Sequence, residues 1–437
     1  MVNIPHWPTI PIWQTPRKID LEVTLKLLDT LGNPQEKLPP TIHIAGTNGK
    51  GSSVAMLKSI FCCAGYKVHS YTSPHLLEFN ERIKLADNSI SDSHLHSVLE
   101  RTKAAAAKSG LNPSFFEGVT AAAFLAFSET YADVLLLETG LGGRLDCTNV
   151  LLTPMLTIIT PISLDHMEHL GDNLLQIASE KAGIIKKHTP CVIGMQTGAV
   201  YELLLDKCEQ AEAPAFCYEY DYCAKITSDG FKYLSQKFKL ELPNPSLRGD
   251  HQITNAATVI AAIMLLNDRF KITLPQITQG LLFASWPGRI QLVDQEKTKA
   301  LAGDNIQIYL DGAHNEAGAQ CLANWAKDNL DGNIYLILGM TRNRDAAKFC
   351  SYFQGLIEKG VAVTVESEPS GYSASVLAKK ANQSGIDFIE ADSLSNAIKS
   401  IVNLNQEKPA TIIVTGSLFL VSDFLKLQFV HSLNHQN

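Results

Sequence analysis

The 437-residue sequence has no C-x-x-C pair, no low-complexity tract, no basic excess and no long apolar run. Each absence removes a class of protein. The nine cysteines, at 62, 63, 147, 191, 208, 217, 223, 321 and 350, are odd in number and irregularly spaced. That spacing indicates neither a disulfide framework nor a structural zinc site, and suits buried thiols in a reducing compartment. The longest largely aliphatic stretch, Ala256–Leu266, is about half of what a bilayer crossing needs. The opening MVNIPHWPTIPIWQTPRK has prolines and tryptophans where a signal peptide needs an apolar core. A soluble, cytoplasmic chain is expected. Lys plus Arg number 37 against 44 for Asp plus Glu, a net charge of −7, which disfavours a general nucleic-acid binder. With 45% hydrophobic and 19% charged residues the chain can bury cores and is not intrinsically disordered. At roughly 150 residues per domain, its length allows two or three domains.

Short apolar runs alternate with stretches of helical period, the signature of βαβ units. Strands are predicted at Thr41–Ala45, Val68–Tyr71, Val134–Leu137, Leu156–Ile159 and Cys191–Ile193, with helices at Ser52–Ala64, Ser91–Ser109, Gly118–Thr130, Leu174–Ile185 and Asn255–Leu266. The Val/Ile runs are continuous, as in parallel strands covered on both faces. Tyr218–Leu242 alternates polar and aromatic residues and reads as an antiparallel excursion on the sheet edge. A second series, after Ser285-Trp286-Pro287-Gly288, places strands at Ile306–Leu310, Ile334–Leu338, Val361–Val365, Asp387–Glu390 and Thr411–Thr415. The expected fold class is α/β: a P-loop-type, mostly parallel-sheet ATPase domain over residues 1–284, a hinge at 285–290, and a smaller Rossmann-like α/β domain over 291–437.

The strongest local signal is Ile42-His43-Ile44-Ala45-Gly46-Thr47-Asn48-Gly49-Lys50-Gly51-Ser52-Ser53, a β-run entering a glycine-rich turn that opens a helix. Glycines let amides approach an anion, the helix N-terminus adds a favourable dipole, and Lys50 supplies a point charge. A regular Walker A loop would have Gly at 44 and Ser or Thr at 51, where Ile44 and Gly51 stand. The segment reads as a triphosphate cradle. Three more clusters follow predicted strands: Thr72-Ser73-Pro74-His75, Glu138-Thr139-Gly140-Leu141-Gly142-Gly143-Arg144-Leu145-Asp146 and Ser163-Leu164-Asp165-His166. Ligands of open α/β sheets bind at the carboxyl ends of strands. Glu138, at the rim of a buried strand, suits a metal partner; Ser73 and His166 would complete a mixed O/N set for Mg²⁺ or Mn²⁺. Taken singly, Ser73 reads equally as a turn cap and His166 equally as a core histidine, while pairing with Arg144 is the lesser alternative for Glu138. Lys181, in Ser179-Glu180-Lys181-Ala182-Gly183, is on residue type alone a solvated surface lysine. His94 and His96 read as solvated, because an i, i+2 pair on a helix faces apart. In the second unit, Asp311-Gly312-Ala313-His314-Asn315 follows a strand and Arg289 sits at the hinge; both are expected to close on the nucleotide.

Seven motifs in order resemble one family: Gly46 to Ser52, Ser73-Pro74-His75, Glu138 to Asp146, Leu164-Asp165-His166, Glu180-Lys181-Ala182-Gly183, Pro287-Gly288-Arg289 and Asp311 to Asn315. The set resembles folylpolyglutamate synthase/dihydrofolate synthase, within the larger Mur-ligase-like group of ATP-dependent amide ligases. The resemblance implies that ATP activates a pterin-bearing carboxylate as an acyl phosphate, which L-glutamate then attacks. It places Asn48, Gly49, Lys50, Gly51, Ser52, Asn255, Arg289, Asp311 and His314 at ATP. It assigns Ser73, Glu138 and His166 to Mg²⁺. It makes Lys50, Lys181 and His166 catalytic, with Lys181 carbamylated and helping to hold a second ion, and leaves room for a monovalent cation.

The acceptor site it implies comprises Ile19, Asp20, Leu21 and Glu22, Ser114, Phe115, Phe116 and Glu117, and Leu145, Asp146 and Cys147. An aromatic such as Phe116 suits stacking on a flat ring, and equally reads as core. The implied partners are small molecules alone, dihydropteroate or a reduced folate, L-glutamate and ATP, acting on a monomer with no nucleic acid or membrane. A bifunctional enzyme is expected, with a monofunctional folylpolyglutamate synthase as the alternative. A Mur-type cell-wall ligase is disfavoured by Gly51, where that type has Thr, and by the short segment before the loop. A non-enzymatic switch is disfavoured by a constellation reaching into two domains.

Overall fold

The computed structural model describes residues 20–405 and 408–434. Aliphatic runs too apolar to face water on either side become its strands. β1 (Thr41–Ala45), β2 (Val68–Tyr71), β5 (Val134–Glu138), β6 (Leu156–Ile159) and β7 (Cys191–Ile193) are buried along their whole length. With the hairpin β3 (Ile83–Leu85) and β4 (Asn88–Ser89), and with β8 (Ala215–Cys217), they form one eight-stranded sheet of order β4-β3-β2-β5-β1-β6-β7-β8. The six strands from β2 to β8 run parallel. β1 lies between β5 and β6, and the chain winds first to one side of it and then to the other. That reversal is a topological switch point, where open α/β sheets hold ligands.

The polar–aromatic stretch after Tyr218 is antiparallel as expected, but it does not extend this sheet. β9 (Tyr222–Thr227), β10 (Gly230–Ser235) and β11 (Lys239–Leu242) form a separate three-stranded sheet. The chain turns away after β8 because the Asp221 carboxylate takes the Cys217 amide at 2.8 Å. The Tyr222 hydroxyl then pins the new sheet, donating to Ile193 O at 2.9 Å.

By its internal contacts the chain divides into two compact units. The first holds the described residues up to Ser246 together with Gln252–Ser285; the second holds Leu247–His251 and those from Trp286 onward. The second unit has its own sheet, built from β12 (Gln291–Leu292), β13 (Ile306–Leu310), β14 (Asn333–Leu338), β15 (Lys359–Ala362), β16 (Phe388–Glu390) and β17 (Ala410–Thr415). Its order is β12-β13-β17-β14-β15-β16, parallel except for β12. The fold class is the one expected. Among the described residues no helix is long and apolar enough to cross a membrane.

Candidate active site

The parallel order β2-β5-β1-β6 brings four strand ends to one edge, each carrying one of the sequence clusters. At the centre is the loop after β1. Gly46 has φ +150°, and a Cβ there would lie 1.8 Å from Thr160 Oγ1. Gly49 has φ +88°, and a Cβ there would lie 2.7 Å from Asn255 Oδ1. Both positions therefore demand glycine. Helix Lys50–Cys63 starts straight after Gly49, two residues earlier than its apolar period suggested, so Lys50, Gly51 and Ser52 form its first turn. The first-turn amides of a helix lack intrahelical partners and suit an anion.

The loop is fixed by its neighbours. The Thr47 and Asn48 amides both donate to Pro161 O, at 3.0 and 3.2 Å, and Asn48 Nδ2 donates to Ser163 Oγ at 3.2 Å. Helix Asp250–Leu265 lies alongside: Gln252 Nε2 donates to Ser52 Oγ at 3.2 Å, and Asn255 Nδ2 to Gln252 Oε1 at 3.1 Å. Gln252 escaped the sequence reading because glutamine carries no chemistry of its own to flag.

Two lysine side chains meet at one carbonyl. Lys50 Nζ donates to Gly46 O at 3.1 Å, and Lys181 Nζ donates to the same oxygen at 2.9 Å. Lys181 is only 4% exposed, on helix Leu174–Ala182, which removes the surface-lysine reading. Burial, and then the repulsion of Lys50, pull its pKa down to about 7. Lys50 Nζ is also 4.0 Å from Glu138 Oε1. Glu138 ends β5 buried, and Arg144 pairs with Glu180 at 2.8 Å, not with Glu138.

His166 follows β6 at φ 49°, with its side chain 40% exposed, so it is no core histidine. The buried Asp165 takes the His166 amide at 2.7 Å. Ser73 follows β2, half-buried, in a Ser73–Pro74 cis peptide. A hydroxyl, a carboxylate and an imidazole thus share one sheet edge with a phosphate loop, a donor set that fits Mg²⁺ or Mn²⁺ completed by phosphate and water oxygens.

Behind Glu138 the acceptor candidates gather. Phe116 covers Gly140, where a Cβ would meet its ring at 2.3 Å, and its ring centroid is 6.1 Å from that of Tyr71. Ser114 and Glu117 form a capping box: the Ser114 amide donates to Glu117 Oε2 at 2.6 Å, and the Glu117 amide to Ser114 Oγ at 3.4 Å. Their pattern is thus a helix start, which explains why helix Phe115–Glu129 begins three residues before Gly118. Asp146 is buried and takes the Leu141 amide at 2.8 Å; burial raises its pKa, and Thr148 and the backbone amides counter it. His43 Nε2 lies 2.8 Å from Thr148 Oγ1, which also bonds to Asp146. His43 and Thr148, passed over in the sequence, therefore brace Asp146. Cys147 is buried, and burial pushes its thiol well above the usual range. Asp20 takes the Glu22 amide at 3.0 Å at the start of helix Glu22–Thr30, where Leu21 is the capping residue. Glu22 itself is exposed and paired with Lys26 at 2.6 Å. Leu145 is half-buried, and Ile19 lies outside the described residues.

The second unit has a cluster of its own after β13. The buried Asp311 takes the Ile290 and Ala313 amides, each at 2.8 Å, while burial raises its pKa and Arg289 opposes that. The Gly312 amide donates to Gly288 O at 2.8 Å, and His314 Nδ1 lies 2.9 Å from Gly312 O. Arg289 Nη1 donates to Gly288 O at 3.2 Å, so the Pro287-Gly288-Arg289 and Asp311-to-His314 motifs form one assembly.

Residues 288–418 match the family described as Mur ligase, glutamate ligase domain. The chain is 33% identical to the dihydrofolate synthase/folylpolyglutamate synthase of Bacillus subtilis, over 92% of this chain and 93% of that protein. The chain belongs to the dihydrofolate synthase/folylpolyglutamate synthase family. It is an ATP-dependent ligase. Among solved structures, E. coli FolC in complex with DHPP and ADP is similar with a TM-score of 0.85 and 26% identity, covering 96% of this chain and 95% of that one. A bifunctional folylpolyglutamate synthase/dihydrofolate synthase of Yersinia pestis, complexed with AMPPNP and Mn ion, has a TM-score of 0.83 and 27% identity, with 95% of each chain covered. The family expected from the seven motifs is thus the family found.

Proposed function

We propose that this chain joins L-glutamate to dihydropteroate, giving dihydrofolate, and to reduced folates, extending their glutamate chains. The meeting of Lys50 and Lys181 at the Gly46 carbonyl, beside Glu138, carries the reading. It puts the Lys50 cation, beside a lysine whose charge is tuned, where a carboxylate must approach a triphosphate, and without such charge two anions repel. The similarity to enzymes that bind DHPP, ADP and AMPPNP supports the same ligand classes here.

In the first step an acceptor carboxylate oxygen attacks the γ-phosphorus, the bond to the β-phosphate oxygen breaks, and ADP leaves. In the second the neutral glutamate amine attacks the acyl carbon, the carbon–oxygen bond to phosphate breaks, and phosphate and a proton are released. The first-turn amides of Lys50, Gly51 and Ser52 hold the phosphates, with Asn48 and Asn255 framing the loop. Lys50 neutralises developing charge. Ser73, Glu138 and His166 would hold Mg²⁺, which supplies Lewis-acid neutralisation of phosphate oxygens.

Lys181 has the property that carbamylation requires, an amine about half neutral near pH 7, because only the free base attacks CO₂. Its carbamate would place a second carboxylate at the loop. Phe116 and Asp146 serve the acceptor ring, with Asp20 to Glu22, Ser114, Phe115, Glu117, Leu145 and Cys147 around them. Arg289, Asp311 and His314 serve the nucleotide, and residues 285–290 act as the hinge. The protein works as a monomer on small molecules, with a monovalent cation as a further ligand. The test is Mg²⁺-dependent ADP release with glutamate and each acceptor in turn. Turnover with reduced folate alone would reduce the function to folylpolyglutamate synthesis.

A further inference from the structure

Arg82 is a buried cation that the phosphate-loop chemistry does not use. It ends the short 3₁₀ turn Phe79–Arg82 and leads into β3. Its carbonyl takes the Thr72 amide at 3.1 Å, which sets it beside the residue before Ser73. The neighbouring Glu81 is committed elsewhere: its carboxylate takes the amides of Leu76, Leu77 and Glu78 at 2.8, 3.0 and 2.9 Å. Glu81 thereby shapes the loop, and Arg82 turns inward.

Arg82 is only 8% exposed. Its Nε donates to His75 Nδ1 at 2.9 Å, and its guanidinium carbon lies 5.5 Å from the Phe79 ring centroid and 5.6 Å from that of Phe115. Tyr71, Glu138 and Glu81 act on it through space, and among the described residues no carboxylate pairs with it within 4.0 Å. A guanidinium held away from water without a counter-anion is costly, and removal of an anionic partner from such a site is strongly unfavourable. Such a group is kept where a ligand supplies the anion. With Nε on His75, the terminal nitrogens hold the planar fork that matches a carboxylate. The location is apt: His75 is two residues past Ser73, and Phe115 adjoins Phe116, whose ring covers Gly140.

We infer that Arg82, braced by His75 and by the Phe79 and Phe115 rings, binds a substrate carboxylate, from either the folate acceptor or incoming L-glutamate. The inference rests on the ligase reading above. The opposing view is that Arg82 merely pins the loop of residues 72–82 to the start of helix Phe115–Glu129.

The experiment measures initial rates of ADP release by wild type, Arg82→Gln and Arg82→Lys, varying acceptor, glutamate and ATP separately, with thermal unfolding of each. Loss of a charge-assisted bond to one carboxylate raises one KM about tenfold or more in Arg82→Gln. A rise confined to the acceptor identifies the acceptor carboxylate; a rise confined to glutamate identifies that of glutamate; either supports the inference. Arg82→Lys keeps the charge and stem, and a smaller rise in the same KM is expected there. Should Arg82→Gln not fold, Arg82→Lys alone decides. Unchanged acceptor and glutamate KM values, or KM values for all three substrates shifting together with lost thermal stability, overturn it. Wild type lacking glutamate-dependent turnover would instead sink the ligase reading.

Discussion

Lys181 offers a quantitative test of the loop's electrostatics. An ordinary lysine near 10.5 is neutral in about one molecule in 3,000 at pH 7, whereas a group at about 7 is neutral in about half. The burial of Lys181 and its repulsion by Lys50 therefore raise the reactive amine by on the order of a thousandfold. At fixed dissolved CO₂, a Lys181 carbamate should form around neutral pH and decline about a hundredfold per unit below about 7, since forming it from the ammonium releases two protons. The assay is NMR on protein equilibrated with ¹³C-bicarbonate, with Lys181→Met as the blank. No carbamate signal dependent on Lys181, or one that emerges only near pH 10, would refute the reasoning. The shift also has a sign in stability. A lysine depressed in the folded state binds fewer protons there than in the unfolded chain between about 7 and 10.5, so uncarbamylated wild type should gain stability as pH rises through that window. The full gain is at most about 5 kcal/mol, at about 1.4 kcal/mol per unit, and Lys181→Met should lack it.

Glu138→Ala should abolish Mg²⁺-dependent turnover while far-UV circular dichroism and chain compactness stay unchanged; retained turnover would remove Glu138 from the metal site. Gly46→Ala drives a Cβ to 1.8 Å from Thr160 Oγ1 and should cost about 1–3 kcal/mol in denaturant unfolding, with weakened nucleotide binding. Phe116→Ala should raise the acceptor KM more than the ATP KM, since its ring covers Gly140 in the proposed acceptor site; equal changes would mark it as core only. Asp311→Ala leaves the Ile290 and Ala313 amides without their acceptor and should lower stability by about 1–3 kcal/mol, read by chemical denaturation.

The strand cores β1, β2 and β6 were legible to the residue, because a wholly buried strand is a continuous aliphatic run with no competing period. Helix starts were less so. The helix from Lys50 begins in a glycine loop, and the one from Phe115 in a capping box, where the apolar period has not yet set in. The phosphate loop showed in sequence because Gly46 and Gly49 are needed locally. The character of Lys181 did not show, since its burial and its bond to Gly46 O join residues 135 apart along the chain. Arg82, His43 and Thr148 were invisible for the same reason: their partners are brought to them by sheet pairing and loop closure, and no spacing along the chain encodes that.

The most direct measurement is ADP release from ATP and Mg²⁺ with L-glutamate and dihydropteroate, then with a reduced folate. Release that requires glutamate and acceptor together, with the acceptor gaining one glutamyl unit by mass, is expected. Release independent of both, or turnover only with a cell-wall peptide precursor, would contradict glutamate ligation to folates.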